Sequence, residues 1–192
     1  MQVISGILDT EADISGDPKV VKVVKDTLER IMAMSLVQKK LYDSQDLSRI
    51  DMREYFRELL DALTEDESFA RERITLTGTE VPIPILFDAA VPCGLVLREL
   101  VSNAIRHAYP GKVEGEIRVS IATSPSGGME FRIEDDGKGL PPDFDFNRKD
   151  TLGMQLIKGL VESQLRGTVS FETAKGVSCQ VIFSDARFSA RV

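Results

Sequence analysis

The stretch Leu95–Tyr109, which reads LVLRELVSNAIRHAY, constrains the fold more than any other part of the chain. Its apolar residues recur at steps of three and four, which predicts a helix with one apolar face. Glu99 and Asn103 are four residues apart and share a second face, and Arg106 and His107 follow within the next turn. A carboxylate, an amide oxygen and a cation on one stripe can hold a hydrated Mg²⁺ and its attached phosphates. A half-exposed helix with solvated polar residues is the ordinary alternative.

The composition limits the class of protein. A chain of 192 residues with 42% hydrophobic residues suits one globular domain with an appended element. The net charge is −7 and there is no basic run, so we expect no nucleic-acid partner. No apolar run predicts a membrane segment. Cys93 and Cys179 lack metal-ligand spacing and are expected to be packed thiols of a cytoplasmic protein.

The first part of the chain reads as helical. Residues 1–14 resemble the end of an amphipathic helix, and a turn at Asp17-Pro18 begins a long helix that reaches about Asp43. Apolar positions of this helix form a heptad seam, namely Val20, Val24, Thr27, Ile31, Met34, Gln38 and Leu41. Such a seam predicts a helical hairpin or a four-helix bundle that self-associates, and a long helix packed on its own domain is the alternative.

The rest of the chain mixes helices and strands without a repeating strand-helix-strand order. We predict helices over 52–64, about 92–109 and 153–165, and strands over 74–77, 85–87, 116–122, 129–134, 168–172 and 177–183. Residues 43–50 and 135–151 read as connections. The expected fold class is α+β, with the helical region at residues 1–49 and a sandwich of mixed sheet under helices at residues 50–192.

Two glycine-bearing loops follow the organising helix. Asp135-Asp136-Gly137-Lys138-Gly139 comes directly after a strand, where the Asp135 carboxylate could accept a hydrogen bond from an exocyclic amine such as that of adenine. Thr151-Leu152-Gly153-Met154 opens a helix, whose free N–H groups form an anion site. Each loop taken alone is a weak signal, and an ordinary turn or helix start explains it as well.

The three stretches in this order resemble the ATP-binding domain of sensor histidine kinases, within the ATPase superfamily that includes gyrase, Hsp90 and MutL. The first stretch is similar to that family's N box, the second to its G1 box and the third to its G2 box. The resemblance covers roughly residues 50–184. It implies ATP and Mg²⁺ as ligands, transfer of the γ-phosphoryl group to a histidine, and a response regulator receiver domain as partner.

The resemblance also implies residue roles. Asn103 is the expected Mg²⁺ ligand, Glu99 is expected to orient a Mg²⁺-bound water or a proton, and Arg106 or His107 to meet phosphate. Asp135 is the expected adenine contact. The residues implied to shape the nucleotide and phosphate loops are Gly137, Gly139, Thr151, Leu152, Gly153 and Met154. Asp136 stands where the family often has Asn.

Residues 1–5, Met-Gln-Val-Ile-Ser, resemble the end of the acceptor motif in the branch that carries H-x-R-x-K-N. This resemblance implies that residues 1–49 are a truncated dimerisation and phosphoacceptor region, that the chain forms a homodimer through it, and that the acceptor histidine lies before Met1. The fragment alone is then expected not to autophosphorylate.

Other functions stay open at this point. A degenerate histidine phosphotransferase would keep the fold without using ATP, and the intact Asn103, Asp135 and Gly153 argue against it. A serine kinase or anti-sigma binder of the same superfamily would keep the ATP site, and the heptad helices before residue 50 argue against that. A gyrase- or Hsp90-type ATPase is the least favoured reading, because no transducer domain is visible.

Overall fold

The computed structural model describes residues 2–43, 49–64, 72–78, 82–110, 115–123, 128–141, 144, 152–173 and 175–184. The helices are α1 (Gln2–Ser15), α2 (Pro18–Asp43), α3 (Met52–Thr64), α4 (Phe87–His107) and α5 (Leu152–Gly159), which continues as a π-helical turn over Leu160–Gln164. The strands are β1 (Arg49–Asp51), β2 (Glu72–Gly78), β3 (Pro84–Leu86), β4 (Gly115–Thr123), β5 (Met129–Asp135), β6 (Thr168–Thr173) and β7 (Val177–Phe183).

Five strands form a mixed sheet in the order β2-β4-β5-β7-β6. β2 runs parallel to β4, and the other neighbours are antiparallel, with Val119 opposite Ile133 and Ile133 opposite Cys179. Alternate residues of β4, β5 and β7 are buried and join the apolar faces of α3 and α4 in one core. The expected α+β class, helices at the N-terminus followed by a mixed sheet under helices, is confirmed.

Most of the predicted helices and strands form, and the differences from prediction lie mainly at their ends. α4 begins at Phe87, so Pro92 lies inside the helix rather than near its first turn, and the expected third residue of β3 belongs to the helix. Pro92 has no N–H to give to the carbonyl of the preceding turn, but tertiary packing buries it all the same. The predicted polar connection at 43–50 contains part of β1, which pairs with β3.

The π-helical turn was not predicted. Leu165 N donates to Leu160 O over 2.9 Å, and Gly167 N donates to Val161 O over 2.9 Å. Arg166, not the glycine, takes the positive φ of 52° that ends the helix. Gly167 follows Arg166 and lies so close to the backbone of Ile182 that no side chain would fit there.

The helical region forms a hairpin that leans on the sheet domain. Asp17 Oδ1 accepts a hydrogen bond from Lys19 N over 2.8 Å, which caps α2 as the sequence predicts. α2 packs on α3 and α4, with Ala33 and Val37 buried. Both the hairpin and the packing on the chain's own domain therefore occur together.

The predicted heptad seam is not the face that α2 buries within the chain. Val20 is 40% exposed and Met34 is 39% exposed, while Ile31 is half-buried. The small side chain of Ala33 instead allows α2 to approach the domain on another face. The seam of α2 therefore remains a predicted surface for self-association. Within the described residues, no helix combines the length and the apolarity that crossing a membrane requires.

Candidate functional site

The polar stripe of α4 faces the start of α5. Glu99 is 5% exposed and Asn103 is half-buried. A Cβ placed on Gly153 would lie 2.8 Å from Glu99 Oε2 and 3.9 Å from Asn103 Nδ2. Three of the predicted site residues, Glu99, Asn103 and Gly153, are thus brought together at the first turn of α5.

Two guanidinium groups hold the other oxygen of Glu99. Arg98 Nη1 lies 2.5 Å from Glu99 Oε1, and Arg30 Nε donates to the same oxygen over 3.0 Å. Arg98 also bonds to Glu29 on α2. Burial opposes the charge of Arg98, but the hydrogen bond and charge of Glu29, with the charges of Glu99 and Asp26, raise its pKa overall.

Asp135 ends β5, directly before the glycine loop. Its Oδ1 accepts hydrogen bonds from Gly137 N over 3.0 Å and Val177 N over 3.3 Å. Burial raises the pKa of Asp135, and the charge of Asp136 adds to this, against the lowering effect of the two backbone hydrogen bonds. The carboxylate is therefore held in one orientation at the edge of the loop that follows.

The loop after Asp135 is anchored to the end of α4. Lys138 N donates to Ala108 O over 2.9 Å, and Gly137 lies so close to Ala108 that it cannot carry a side chain. Asp136 Oδ1 accepts a hydrogen bond from Glu116 N over 3.0 Å. Asp136, whose role the sequence leaves open, therefore ties the loop to the start of β4.

Two residues that shape this loop were not predicted. Thr173 Oγ1 accepts a hydrogen bond from Leu140 N over 3.2 Å and donates to Gly176 O over 3.1 Å, next to Gly139 with its φ of +75°. Gly176, with a φ of +90°, backs directly onto the main chain of Asp135. The sequence marks this place only as a hairpin turn, since the contact with residues 135–140 depends on strand order.

Arg106 and His107, which were also predicted to belong to the site, lie at the end of α4. The Arg106 guanidinium bonds to Asp26 on α2. His107 is exposed, and the cost of burying part of the ring together with the positive charges of Arg106, Lys138 and Lys22 lowers its pKa. Both residues lie at the end of α4, one turn beyond Asn103.

The phosphate loop is only partly described. Leu152 is 68% exposed, Met154 is half-buried, and Thr151 lies outside the described residues. Among the residues with described positions, no group of three or more His, Cys, Asp and Glu could hold a metal ion by itself. Glu99 and Asn103 nevertheless offer the hard oxygen donors that suit Mg²⁺, which usually takes only one or two protein ligands beside phosphate oxygens and water.

A mixed sheet under helices, with an acidic strand end, a glycine loop and a polar helix stripe in this arrangement, defines the class of ATP-binding domains that kinases share with gyrase. The chain belongs to the histidine kinase-, DNA gyrase B- and HSP90-like ATPase family, whose profile matches residues 89–187, and a histidine kinase profile matches residues 1–66.

Similar characterised proteins include sensor histidine kinases and an anti-sigma factor. The sensor histidine kinase PdtaS of Mycobacterium tuberculosis is 26% identical over 185 residues, which are 95% of this chain and 36% of that protein. The anti-sigma F factor of Priestia megaterium is 32% identical over 79 residues, 41% of this chain and 52% of that protein. The chain thus spans about a third of the length of PdtaS.

Solved structures show the same fold. The histidine kinase domain of the Erythrobacter litoralis blue-light activated kinase EL346 superposes with a TM-score of 0.74 at 18% identity, covering 86% of this chain and 77% of that one. The catalytic domain of histidine kinase ThkA gives a TM-score of 0.61 at 18% identity, covering 72% of this chain and 96% of that one. At these identities the likeness establishes the fold and not the activity.

Proposed function

We propose that this chain is the ATP-binding catalytic part of a sensor histidine kinase, with residues 1–49 in the dimerisation region and residues 50–192 in the catalytic domain. It transfers the γ-phosphoryl group of Mg·ATP to a histidine, from which a response regulator receiver domain takes it. The observation that supports this most strongly is the meeting of Glu99, Asn103 and Gly153 beside a helix start. Phosphoryl transfer depends mainly on positioning and on neutralising charge, which such a group supplies.

Each residue has a role in this proposal. Asp135 accepts a hydrogen bond from the adenine amine, and the loop at Gly137 and Gly139 lets the base approach the main chain. Asn103 ligates Mg²⁺ through its amide oxygen, and Glu99 orients a metal-bound water or a proton. A cation held there would neutralise charge on the phosphates.

The phosphate groups meet the last turn of α4 and the first turn of α5. Arg106 or His107 donates to phosphate from α4. In this proposal the main-chain N–H groups at the start of α5 contribute from the other side, with Thr151, Leu152, Gly153 and Met154 forming the loop there.

The phosphoacceptor is a separate question, because the only histidine of these 192 residues is His107. It lies one turn after Asn103 on the helix that would bind phosphate, and from there it cannot also stand in line behind the γ-phosphorus. A histidine nucleophile needs that in-line position. We therefore propose that the acceptor belongs to a helical segment that carries H-x-R-x-K-N and precedes residue 1.

Labelling with γ-labelled ATP tests the proposal. A chain extended at its N-terminus by a helical segment with an H-x-R-x-K-N motif is expected to gain acid-labile, base-stable label, and the same extension with its histidine changed to Gln is not. The unextended chain is expected to stay unlabelled while still binding Mg·ATP in calorimetry. Absence of ATP binding, or label on the unextended chain that is lost in His107→Ala, would contradict the proposal.

A serine kinase or anti-sigma binder is the second candidate, and the likeness to the anti-sigma F factor over 79 residues favours it. It would use the same nucleotide site but phosphorylate a protein partner on serine, which gives acid-stable label. A degenerate histidine phosphotransferase, the third possibility, would not bind ATP. The chemical stability of the label and the binding of nucleotide therefore separate the three functions.

A further inference from the structure

α2 and α4 meet through six charged side chains that we call the α2–α4 ion cluster. Three are carboxylates and three are guanidinium groups, so the cluster is neutral: Asp26, Glu29, Arg30, Arg98, Glu99 and Arg106. Each helix contributes members of both signs, and most of the ion pairs cross from one helix to the other. The cluster therefore ties the helical region to the helix that carries the candidate nucleotide residues.

Arg98 is the buried centre of the α2–α4 ion cluster. Its side chain is 1% exposed, it pairs with Glu29 and Glu99, and its Nη2 lies 3.6 Å from Asp26 Oδ1. A buried guanidinium is tolerated only when carboxylates and hydrogen bonds compensate it. Since Glu29 and Asp26 belong to α2, the burial of Arg98 depends on where α2 lies.

Glu99 divides its two oxygens between the helical region and the phosphate loop. Its Oε1 receives the hydrogen bonds of Arg98 and Arg30, while its Oε2 is the oxygen that lies closest to Gly153. The Nε–H of Arg30 comes from α2, 69 positions earlier in the chain. A planar guanidinium fixes the direction of a carboxylate better than a point charge does.

We propose that Arg30 is a positioning residue for the candidate nucleotide site and acts through Glu99. The geometry of the site then depends on where α2 packs against α4. The inference rests on the proposed function, because the proposed function assigns Glu99 its role toward Mg²⁺. A displacement of α2 by one helical turn, about 5.4 Å, would remove this hydrogen bond and leave Oε1 of Glu99 held by Arg98 alone. A signal that moves the helical region would then reach the nucleotide site through the α2–α4 ion cluster, in which Arg30 contacts Glu99 directly.

A double-mutant cycle between Arg30 and Glu99 tests the inference. The quantity measured is the ratio of ATP affinity with Mg²⁺ to ATP affinity in EDTA, by calorimetry on the 192-residue chain. Arg30→Met is expected to lower this ratio about tenfold when Glu99 is present and to leave it unchanged on the Glu99→Gln background. Arg30→Lys is expected to restore only part of the ratio, because a lysine lacks the planar fork.

Lys40→Met is the matched control. Lys40 also lies on α2 and pairs across to another helix, with Nζ 2.6 Å from Glu58 Oε1 and 3.3 Å from Glu54 Oε2 on α3. The Lys40→Met substitution removes comparable interhelical ion pairs without touching Glu99. It is expected to leave the Mg²⁺ dependence of ATP affinity unchanged.

The outcomes separate the inference from the function on which it rests. If the unmodified chain does not bind ATP, both fail. If the unmodified chain binds Mg·ATP and Arg30→Met binds it equally well, only the inference fails. The inference is also overturned if Arg30→Met lowers the affinity ratio equally on both backgrounds, or if Lys40→Met lowers it as much. Either result would mean that Arg30 only holds α2 in place.

Discussion

A Cβ atom on Gly153 would lie 2.8 Å from Oε2 of Glu99, closer than real side-chain carbons approach an oxygen. The Glu99 carboxylate cannot easily retreat, because Arg98 and Arg30 hold its other oxygen. The start of α5 can therefore rest against the polar stripe of α4 only if residue 153 has no side chain. Glycine at this position follows from the packing of two helices and not from the turn alone.

Gly153→Ala is accordingly expected to push the first turn of α5 away from Glu99 and to weaken Mg·ATP binding about tenfold in calorimetry, which corresponds to about 1.4 kcal/mol. Gly159→Ala is the control on the same helix. Gly159 has helical backbone angles, with φ −61°, and nothing within 4 Å of the added carbon. It should keep ATP affinity and gain about 0.5–1 kcal/mol of unfolding free energy. Equal ATP affinity in both variants would contradict the proposed contact.

Asp135→Asn is expected to weaken ATP far more than inorganic triphosphate. The proposed bond to the adenine amine is charge-assisted, and its loss costs about 1.5–3 kcal/mol, or roughly 10- to 100-fold in affinity. Asp136→Asn is the control, since it removes the same charge next door and an Asn Oδ1 can still accept from Glu116 N. The two ligands are compared by calorimetry at one pH. An equal loss for ATP and triphosphate would place Asp135 away from adenine.

Asn103→Ala tests the metal ligand. The variant is expected to lose the gain in ATP affinity that Mg²⁺ gives, while its affinity in EDTA stays the same. Because Asn103 is half-buried on a face apart from the apolar core, the free energy of unfolding should change by only about 0.5 kcal/mol. Thermal unfolding without ligand provides the control. A large drop in melting temperature would show that Asn103 is structural.

The local pattern of the sequence predicts much of the fold. α2 over Pro18–Asp43 and α3 over Met52–Thr64 begin and end as predicted, because caps, proline and apolar spacing all lie within the segment itself. The organising helix was predicted too short at its start, because Pro92 normally marks a first turn and here tertiary packing overrides that preference.

Local sequence likewise predicts one part of the candidate site, while the other part depends on tertiary packing. Glu99 and Asn103 share a face because of their spacing, and the glycine loops are visible as motifs. The contact of Arg30 with Glu99 joins positions 69 apart, and that of Leu140 with Thr173 joins positions 33 apart. Such contacts depend on how helices and strands pack, which no local period encodes. The buried face of α2 was missed for the same reason, since Ala33 is a weak signal beside the stronger heptad seam.

Self-association through the exposed seam of α2 is the next prediction. Ile31→Asp combined with Met34→Lys places two opposite charges on the seam and is expected to give a monomer in sedimentation. Glu11→Lys combined with Lys39→Asp, both at exposed positions off the seam, is the charge-neutral control and should keep the dimer. An apolar stripe of this kind favours burial against a second copy. An unmodified chain that sediments as a monomer at high concentration would contradict the prediction.

The only histidine allows a direct test of the end of α4, because its imidazole Cε1–H gives a single titrating signal in NMR. Burial and the charges of Arg106, Lys138 and Lys22 lower the pKa of His107 below its ordinary value of 6.5. Arg106→Gln should therefore raise this pKa, whereas Arg118→Gln, which removes an exposed charge on β4, should not. If His107 meets phosphate, adding Mg·ATP should also raise its pKa. A midpoint at or above 6.5 without ligand would contradict the first part, and an unchanged midpoint with Mg·ATP would exclude His107 from the phosphate site.

The lowered pKa of His107 also determines how the free energy of unfolding changes with pH. The unfolded chain binds a proton on His107 more readily than the folded chain does, so unfolding free energy from this group falls as pH drops through the window just below 6.5. Above that window the penalty is absent. His107→Gln should remove this fall, so its melting temperature relative to the unmodified chain should rise as the pH is lowered from 7 toward 5. A difference between the two proteins that stays constant over this range would show that His107 titrates alike in the folded and unfolded chain.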